Sequence, residues 1–454
     1  MSRTPAMRTK DMTQGNPLGL ILAFAVPLLI GNIFQQIYNM VDTMVVGHHL
    51  GDGAIAAIGA TSTLYSLIVN FACGLNNGYS IVVTQRFGAH NEKEVKQAIA
   101  GMLLLDLGVS ALLTVLALVF LGSLMGFMNT PEAITQTALR YIRIICGGMV
   151  FTVAYNMFAA ILRSVGNSRS PLYFLILSSL LNIGLDLLFV MGLELGVAGA
   201  ALATVLSQGA AAVSCGIYVL RNYRPLLPEK ADFRVSGAIL RDLASTGFAM
   251  ALMSSLVDFG SVIFQRANNL LGQVYITAYA ASRKFVIILL QPLGTIAYAN
   301  STFVGQNWGA HETRRIRSTL KKVLLLEIAW DLFSLAAIWF FGGPLIRFTT
   351  GTKDPEVVKN AVMSLRIHFS MFPVLGVLFC LRNALQAMGQ KLAPVASSCI
   401  ELGMKFLSAR LLIPRLGFPG TCITEPVTWV LMVIFLASVY LSKRKTLFPE
   451  ISGT

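Results

Sequence analysis

Residues 171–192 have the sequence PLYFLILSSLLNIGLDLLFVMG, an apolar run that contains a single acidic residue, Asp186. An α-helix needs about 20 mainly apolar residues to cross the hydrocarbon core of a bilayer, and this run is long enough. Apolar and polar residues do not alternate along it, which argues against a membrane β-barrel. The stretch therefore predicts a membrane-spanning helix that carries a carboxylate in its interior.

The composition of the whole chain agrees with a membrane protein. Of the 454 residues, 55 % are hydrophobic and 12 % are charged, whereas soluble domains are about 25 % charged. This composition argues against a soluble multidomain enzyme and excludes a disordered chain. The net charge of +14 is expected for basic loops on one side of a membrane, and no basic segment is interleaved with aromatic residues. We therefore expect a lipid bilayer as the surroundings and no nucleic-acid partner.

Apolar runs of this kind recur along the chain, separated by turn signals such as GHHLGDG at 47–53 and IPRLGFPG at 413–420. Backbone groups inside a bilayer must be satisfied within their own segment, so each run is predicted to be a helix. The sequence predicts twelve spans, at 17–41, 54–80, 97–124, 134–162, 171–192, 196–220, 237–265, 274–301, 319–342, 357–384, 393–413 and 418–441. The predicted fold class is an all-α polytopic membrane protein.

Lys and Arg residues are unevenly distributed among the predicted loops. The loops after even-numbered spans, together with both chain ends, contain 23 of them, including Arg3, Arg8, Arg163 and Arg382, and the opposite loops contain five, including Lys353. Positive charge concentrates on the cytoplasmic side of membrane proteins. We therefore expect a multi-pass protein of the cell membrane with both termini in the cytoplasm.

The two halves of the chain repeat each other. QRFGAH at 85–90 recurs as QNWGAH at 306–311, and LLLD at 103–106 recurs as LLLE at 324–327, both displaced by 221 positions. The repeat predicts two six-helix lobes, 1–225 and 226–454, joined by a basic linker. Because six is even, both lobes have the same orientation and are related by a pseudo-two-fold axis along the membrane normal. Such repeats are typical of transporters with a substrate cavity between the halves.

Ionisable residues inside membrane spans are candidate functional residues, because their desolvation is costly. Asp42 and Asp186 each have a neutral partner one helical turn earlier, Tyr38 and Asn182, on the same helix face. Two carboxylates with such partners can form an oxygen cage for Na+, or they can share a proton because they resist ionising together. The sequence leaves both alternatives open, and it also allows Asp42 to be solvated at the membrane boundary. Pro27 is expected to bend the first span.

The second half has no acid at the position equivalent to Asp42, which is Ile263. Its candidates for lining a substrate cavity are Asp258, Gln265 and Gln291, and Met157 is a further candidate in the first half because methionine adapts to varied shapes. Glu401 and Lys405 are four positions apart and are expected to pair. We interpret three further acids as packing partners of loop Arg and Lys residues: Asp106, Glu327 and Asp331.

Four segments carry a family resemblance. They are YNMVDTMVVGHHLGDGAIAAIGA at 38–60, QRFGAHNEKEV at 85–95, LGQVYITAYAAS at 271–282 and FVGQNWGAHETRRIR at 303–317. The first two resemble the first-half signature of the multidrug and toxic compound extrusion (MATE) family, and the last two resemble its second-half signature. The acids of the first half are similar to those of the archaeal branch and of the branch related to DNA-damage-inducible protein F.

The resemblance implies a V-shaped exporter with twelve helices, which exchanges a cationic or amphipathic organic compound for inward Na+ or H+. It implies that Asp42, Asp186, Asn182 and Thr204 bind the coupling cation, that Tyr38 and Asn156 line the cavity, and that the first span bends at Pro27. No other metal or cofactor is implied. The signature motifs of ATPases and intramembrane hydrolases are absent from the sequence, so we expect a secondary transporter and no enzyme.

Two other functions are considered alongside the exporter. A flippase for lipid-linked precursors would need a basic cavity, for which Arg283, Lys284 and Arg366 are candidates. A receptor or channel is less favoured because of the duplicated architecture. Since one chain already contains both halves, we expect a monomer that alternates its access between the two sides of the membrane.

Overall fold

The computed structural model describes residues 10–127, 131–352 and 354–448, and within these ranges the chain is helical and contains no strand. Arg3, Arg8 and Lys353, which contributed to the charge distribution above, lie outside the described residues. The helices are α1 (Pro17–Gly51), α2 (Gly53–Gly88), α3 (Glu92–Phe127), α4 (Glu132–Gly147), α5 (Met149–Ser164), α6 (Arg169–Asp186), α7 (Val197–Asn222), α8 (Gly237–Asn269), α9 (Gln273–Gly309), α10 (Thr313–Thr350), α11 (Pro355–Ser370), α12 (Phe372–Ala387), α13 (Leu392–Leu407), α14 (Ile413–Leu416), α15 (Phe418–Ser442) and α16 (Arg444–Leu447).

Nine of the helices in the described ranges are long and apolar enough to cross a membrane, and α4–α5 and α11–α12 raise this number to eleven if each bent pair is one span. The remaining predicted span, 393–413, is formed by α13, a π-helical turn at Ser408–Leu412 and α14 in direct succession. The twelve predicted segments are therefore all helical in the structure.

Two of the predicted spans are broken in the middle. The helix axis turns by 44° between α4 and α5 and by 48° between α11 and α12. At the first break, Gly148 lies against α7, where a Cβ atom would come within 2.4 Å of the Val205 methyl groups. At the second break, Pro373 occupies the first turn of α12 and cannot donate a backbone hydrogen bond to the preceding turn. Each of these two predicted spans is therefore formed by a pair of shorter helices.

The backbone itself repeats between the two halves. His90 and His311 both have positive φ angles, 54° and 60°. Gly196 (φ 63°, ψ −143°) and Gly417 (φ 63°, ψ −140°) precede α7 and α15 with nearly the same backbone conformation. Residues other than glycine rarely adopt this conformation. The preceding π-helical turns begin at Leu187 and Ser408, again 221 positions apart. These three pairs of features confirm the internal repeat predicted from sequence.

Contacts between Cα atoms divide the chain into two compact units. Of the described residues, the first unit contains 10–11, 26–127 and 131–251, and the second contains 12–25, 252–352 and 354–448. The division by packing thus differs from the predicted lobes 1–225 and 226–454, because the beginning of α8 packs with the first unit. Gly78 of α2 crosses α8 at Gly247 so closely that a Cβ on Gly78 would lie 2.5 Å from the Gly247 Cα.

The core of the first unit lies among α2, α3, α5, α7 and the beginning of α8. Its fully buried apolar side chains include Tyr79, Met102, Leu162 and Leu243. Removing a side chain of this size from a packed core costs about 2–5 kcal/mol. This core holds α5 and α7, which carry Asn156 and Thr204, in fixed positions.

Candidate cation and substrate sites

The structure brings Asp42 and Asp186 together. Asp42 lies in the second half of α1, and Asp186 ends α6 where the helix widens into the π-helical turn Leu187–Gly192. The two carboxyl groups are within hydrogen-bonding reach of each other. Asp186 is fully buried and Asp42 is partly exposed. Among the described residues the Oδ1 atom of each has no hydrogen-bond partner, so both carboxylates keep an oxygen that can bind a cation or a proton.

Asn182 connects this carboxylate pair to its surroundings. With its amide nitrogen facing the acidic side, Asn182 donates to Asp186 Oδ2 at 2.9 Å and to Tyr38 Oη at 3.1 Å, and its amide oxygen accepts from the backbone N–H of Thr204 at 3.1 Å. The predicted contact between Asn182 and Asp186 is confirmed. Thr204 Oγ1 donates to Ala200 O at 3.0 Å, which leaves its lone pairs available for a cation.

Two tyrosines that were not predicted also belong to this site. Tyr141 of α4 interacts electrostatically with both Asp42 and Asp186, and Tyr65 of α2 lies next to Tyr38 and Tyr141. Tyr141 occurs in the segment YIRIICGG, where a tyrosine resembles ordinary helix packing, so the sequence gives no signal for it. The site thus combines two carboxylates, one amide and a set of phenol groups from α1, α2, α4 and α6.

A cavity of about 330 Å³ lies in the same unit among α1, α2, α5, α6 and α7. Pro27 and Asn156 both line it, as does Arg163, which was predicted to be a loop residue. Asn156 Nδ2 donates to Thr152 O at 2.8 Å, leaving the amide oxygen available to a ligand. Met157 is 4 % exposed and packs in the apolar core, and it is not among the residues that line this cavity.

The predicted candidates of the second unit are not among the residues that line the cavity described there. Gln265 is exposed and donates to Asn269 Oδ1 at 2.7 Å. Asp258 and Gln291 are partly buried on α8 and α9. A second cavity, of about 170 Å³, is lined by other residues of α8, α9, α12, α13 and α15.

Charged residues line this second cavity. Lys405 donates to Glu401 at 2.8 Å, which confirms the predicted pair. Arg283 donates to both carboxylate oxygens of Glu425 at 2.9 Å, and His368 Nε2 lies 3.1 Å from Glu425 Oε2. Glu425 and His368 were not predicted, although an ionisable residue within an apolar run was the signal that identified Asp186.

The interpretation of Asp106, Glu327 and Asp331 as packing partners of loop Arg and Lys residues is wrong. Asp106 is buried and accepts a hydrogen bond from Asn76 Nδ2 at 3.1 Å. Glu327 and Asp331 are also fully buried, and in the described part of the chain their carboxylate oxygens have no hydrogen-bond partners.

The basic residues considered for a flippase are dispersed. Arg283 is paired with Glu425, and the exposed Arg366 lies over the ring of Trp339 at 4.7 Å. Neither Lys284 nor Arg366 is among the residues that line the second cavity. The three residues therefore do not form a common basic surface in that cavity.

The chain belongs to the MatE family, whose model matches residues 27–188 and 249–409. It is 28 % identical over 397 residues to the probable multidrug resistance protein YpnP of Bacillus subtilis, covering 87 % of this chain and 88 % of that protein. It is 24 % identical over 431 residues to the DNA damage-inducible protein F of Escherichia coli, covering 91 % of this chain and 88 % of that protein.

A solved structure of similar fold is that of a multidrug resistance MATE family transporter of the MOP superfamily in an outward-facing conformation. It matches with a TM-score of 0.87 and 21 % identity, over 96 % of this chain and 98 % of that chain. This likeness confirms the predicted fold class, the all-α fold of twelve membrane helices in two lobes. Members of the family are membrane transporters, so the chain is a transporter and not an enzyme.

Proposed function

We propose that this protein is a secondary active multidrug exporter that exchanges a cationic or amphipathic organic compound for inward Na+ or H+. The observation that supports coupling most strongly is the juxtaposition of Asp42 and Asp186, each with one oxygen that has no hydrogen-bond partner in the described part of the chain. The description of the Bacillus relative as a probable multidrug resistance protein supports export of organic compounds. The proposal requires no cofactor other than the coupling ion.

In this proposal Asp42, Asp186, Asn182 and Thr204 bind the coupling cation, and Tyr38 and Asn156 contribute to substrate binding. A Na+ ion would take oxygen ligands from the two carboxylates, the Asn182 amide and the Thr204 hydroxyl. A proton would instead be held between the two carboxyl groups. Either cation can drive transport only if it binds one conformation of the protein more tightly than the other.

Pro27 connects the cation site to a conformational change in this proposal. It lies inside α1, 15 positions before Asp42, and lines the 330 Å³ cavity. Because proline removes one backbone hydrogen bond, α1 bends at this point more easily than elsewhere. Binding of a cation at Asp42 then favours one bend of α1, which changes the size of the cavity and releases the substrate by alternating access.

The same proposal places the protein in the cell membrane as a monomer with both termini in the cytoplasm. The excess of Lys and Arg in loops on one side supports this orientation. A flippase for lipid-linked precursors is not favoured, because Arg283 is neutralised by Glu425 and Arg366 is exposed over Trp339.

Efflux of a fluorescent organic cation from proteoliposomes tests the proposal, with an inward Na+ gradient and an inward proton gradient imposed separately. We expect one of the two gradients to accelerate efflux, and the effective gradient identifies the coupling ion. Efflux that is equally fast without any gradient and does not saturate with dye concentration would identify a channel. Absence of dye efflux, together with binding of anionic lipid carriers, would favour the flippase.

A further inference from the structure

The 170 Å³ cavity of the second unit contains more positive than negative charge. Five charged side chains line it, three basic and two acidic: Arg283, Arg382, Lys405, Glu401 and Glu425. These charges come from α9, α12, α13 and α15, so the cavity is built by four helices and is not a feature of one segment. Neither the exporter proposal nor the cation site of the first unit uses any of these residues.

Both carboxylates of the cavity already have a basic partner. Glu425 accepts two hydrogen bonds from Arg283 at 2.9 Å and has His368 Nε2 at 3.1 Å. Glu401 accepts from Lys405 at 2.8 Å, and Lys405 also donates to Ser261 Oγ at 3.0 Å. The pairing leaves one cation of the cavity, Arg382, without a carboxylate of its own.

Arg382 is almost completely buried, with 8 % of its surface exposed. Its Nη2 atom donates to the Ser398 hydroxyl, and its Nε atom has no hydrogen-bond partner within residues 10–127, 131–352 and 354–448. Glu401 influences it electrostatically but is bonded to Lys405. A guanidinium group carries five N–H donors, so a single neutral hydroxyl satisfies it poorly.

A buried cation without a compensating acceptor is costly, and an anionic ligand removes this cost. The planar donors of arginine match the oxygens of a carboxylate or a phosphate, often with two parallel hydrogen bonds. Cavities that enclose whole drug-sized ligands measure about 300–1,000 Å³. The smaller volume here therefore suits the anionic group of a ligand, together with the atoms next to that group.

We propose that this cavity binds an oxyanion group, carboxylate or phosphate, with Arg382 as its counter-ion. The exported compounds then include zwitterionic or anionic amphiphiles, which bind through their anionic group in the second unit. The identification of the ligand as an exported compound rests on the proposed function, whereas oxyanion binding itself does not require transport.

Trp429 lines the same cavity and provides a direct reporter of binding. The chain has four tryptophans, and replacement of Trp308, Trp330 and Trp339 by phenylalanine leaves Trp429 as the sole indole. The purified full-length protein is titrated with sodium acetate and, separately, with sodium phosphate, against sodium chloride at equal ionic strength. We expect a saturable change of Trp429 fluorescence in the millimolar range with at least one of the two oxyanions.

Arg382→Gln should weaken this binding at least tenfold, because it removes a charge-assisted hydrogen bond. Arg366→Gln is the matched control, since Arg366 is exposed and does not line the cavity. The oxyanion affinity of this variant should stay within about twofold of the wild-type affinity. Ser398→Ala provides a second test if Arg382→Gln fails to fold. It keeps the cation and removes the hydroxyl acceptor of Arg382, so oxyanion binding should be retained or tightened.

Saturation with phosphate alone indicates a phosphorylated ligand, and saturation with acetate alone indicates a carboxylate. Failure of both oxyanions to produce a saturable change overturns the proposal. Binding that survives Arg382→Gln, or that is lost in Ser398→Ala, also overturns it. If the dye is not exported but the oxyanion still binds in an Arg382-dependent manner, the exporter proposal fails while the anion site stands.

Discussion

Asn182 and Asp186 lie one turn apart on α6, and the Asn182 amide donates to Asp186 Oδ2 at 2.9 Å while it also reaches Tyr38 Oη at 3.1 Å. This amide therefore connects the buried carboxylate of α6 to α1, the helix that carries Asp42. The two positions are four residues apart, about one helical turn, so their side chains share a face. The contact links the carboxylate pair to the helix that contains Pro27.

Asn182→Leu tests this link. The substitution keeps a side chain of similar size and removes the donor to both Asp186 and Tyr38. A hydrogen bond to a charged group contributes about 1.5–3 kcal/mol, so the apparent affinity for the coupling ion should fall at least tenfold. The measurement is the dependence of dye efflux on Na+ or H+ concentration in proteoliposomes.

Ser179→Ala is the control for Asn182→Leu. Ser179 is buried on the same helix, but its hydroxyl donates only to the backbone oxygen of Leu175 at 2.9 Å. Its removal should leave the ion dependence of efflux unchanged. Equal ion affinity in Asn182→Leu and the wild type would contradict a role of the amide in cation binding.

Tyr141→Phe removes a phenol hydroxyl that interacts with Asp42 and Asp186. The loss of one neutral polar partner is expected to change the apparent ion affinity about two- to tenfold, less than the loss of Asn182. Tyr155→Phe is the comparison, because its hydroxyl donates to Pro171 O at 3.1 Å away from the carboxylate pair. If both variants shift the ion dependence equally, Tyr141 has no specific connection with the site.

Gly78→Ala should destabilise the first unit. Its Cβ would lie 2.5 Å from the Cα of Gly247, so α2 and α8 must separate, and overpacking of this kind costs about 1–3 kcal/mol. The melting temperature of the purified protein, followed by tryptophan fluorescence, reports the loss. Gly59→Ala on the same helix has no atom within 4 Å of the new Cβ and should not lower the melting temperature. Equal melting temperatures of the two variants would contradict the close crossing.

Glu425→Gln leaves Arg283 without its counter-ion. Removing one partner of a buried ion pair is strongly destabilising, because the other charge stays buried without compensation. The Arg283 side chain is 36 % exposed, so solvent offsets part of this loss. We therefore expect the free energy of unfolding to fall by about 2 kcal/mol. Denaturant unfolding in detergent measures this change. The double variant Arg283→Met, Glu425→Gln should recover at least half of the lost stability. Glu356→Gln is the control, because Glu356 is exposed at the start of α11. It should change the free energy of unfolding by less than about 0.5 kcal/mol.

Much of the fold can be predicted from the sequence, because the length of an apolar run and the charge of its loops are set by the bilayer. The breaks at Gly148 and Met371 could not be predicted in this way. Glycine and proline are tolerated inside membrane helices when neighbouring helices satisfy the backbone. Whether a span bends at Gly148 depends on the approach of Val205, which is distant in sequence.

The candidate cation site was predictable to the extent that ionisable residues are rare in membrane spans. Asp42 and Asp186 were found for this reason, Asn182 was found because it lies one turn before Asp186, and the structure brings all three together. Tyr141 was not found, since a partly apolar side chain gives no such signal. Arg382 was assigned to a loop by its position near the end of a predicted span, whereas its burial depends on how α12 packs in the second unit.

The central claim is that transport is coupled to a cation through Asp42 and Asp186. The most direct measurement is the initial rate of dye efflux under the effective Na+ or proton gradient for Asp42→Asn, Asp186→Asn and the control Asp106→Asn, whose carboxylate accepts from Asn76 outside the site. We predict that both site variants lose the acceleration by the gradient and that Asp106→Asn retains it. Wild-type acceleration in Asp42→Asn or Asp186→Asn would contradict the account.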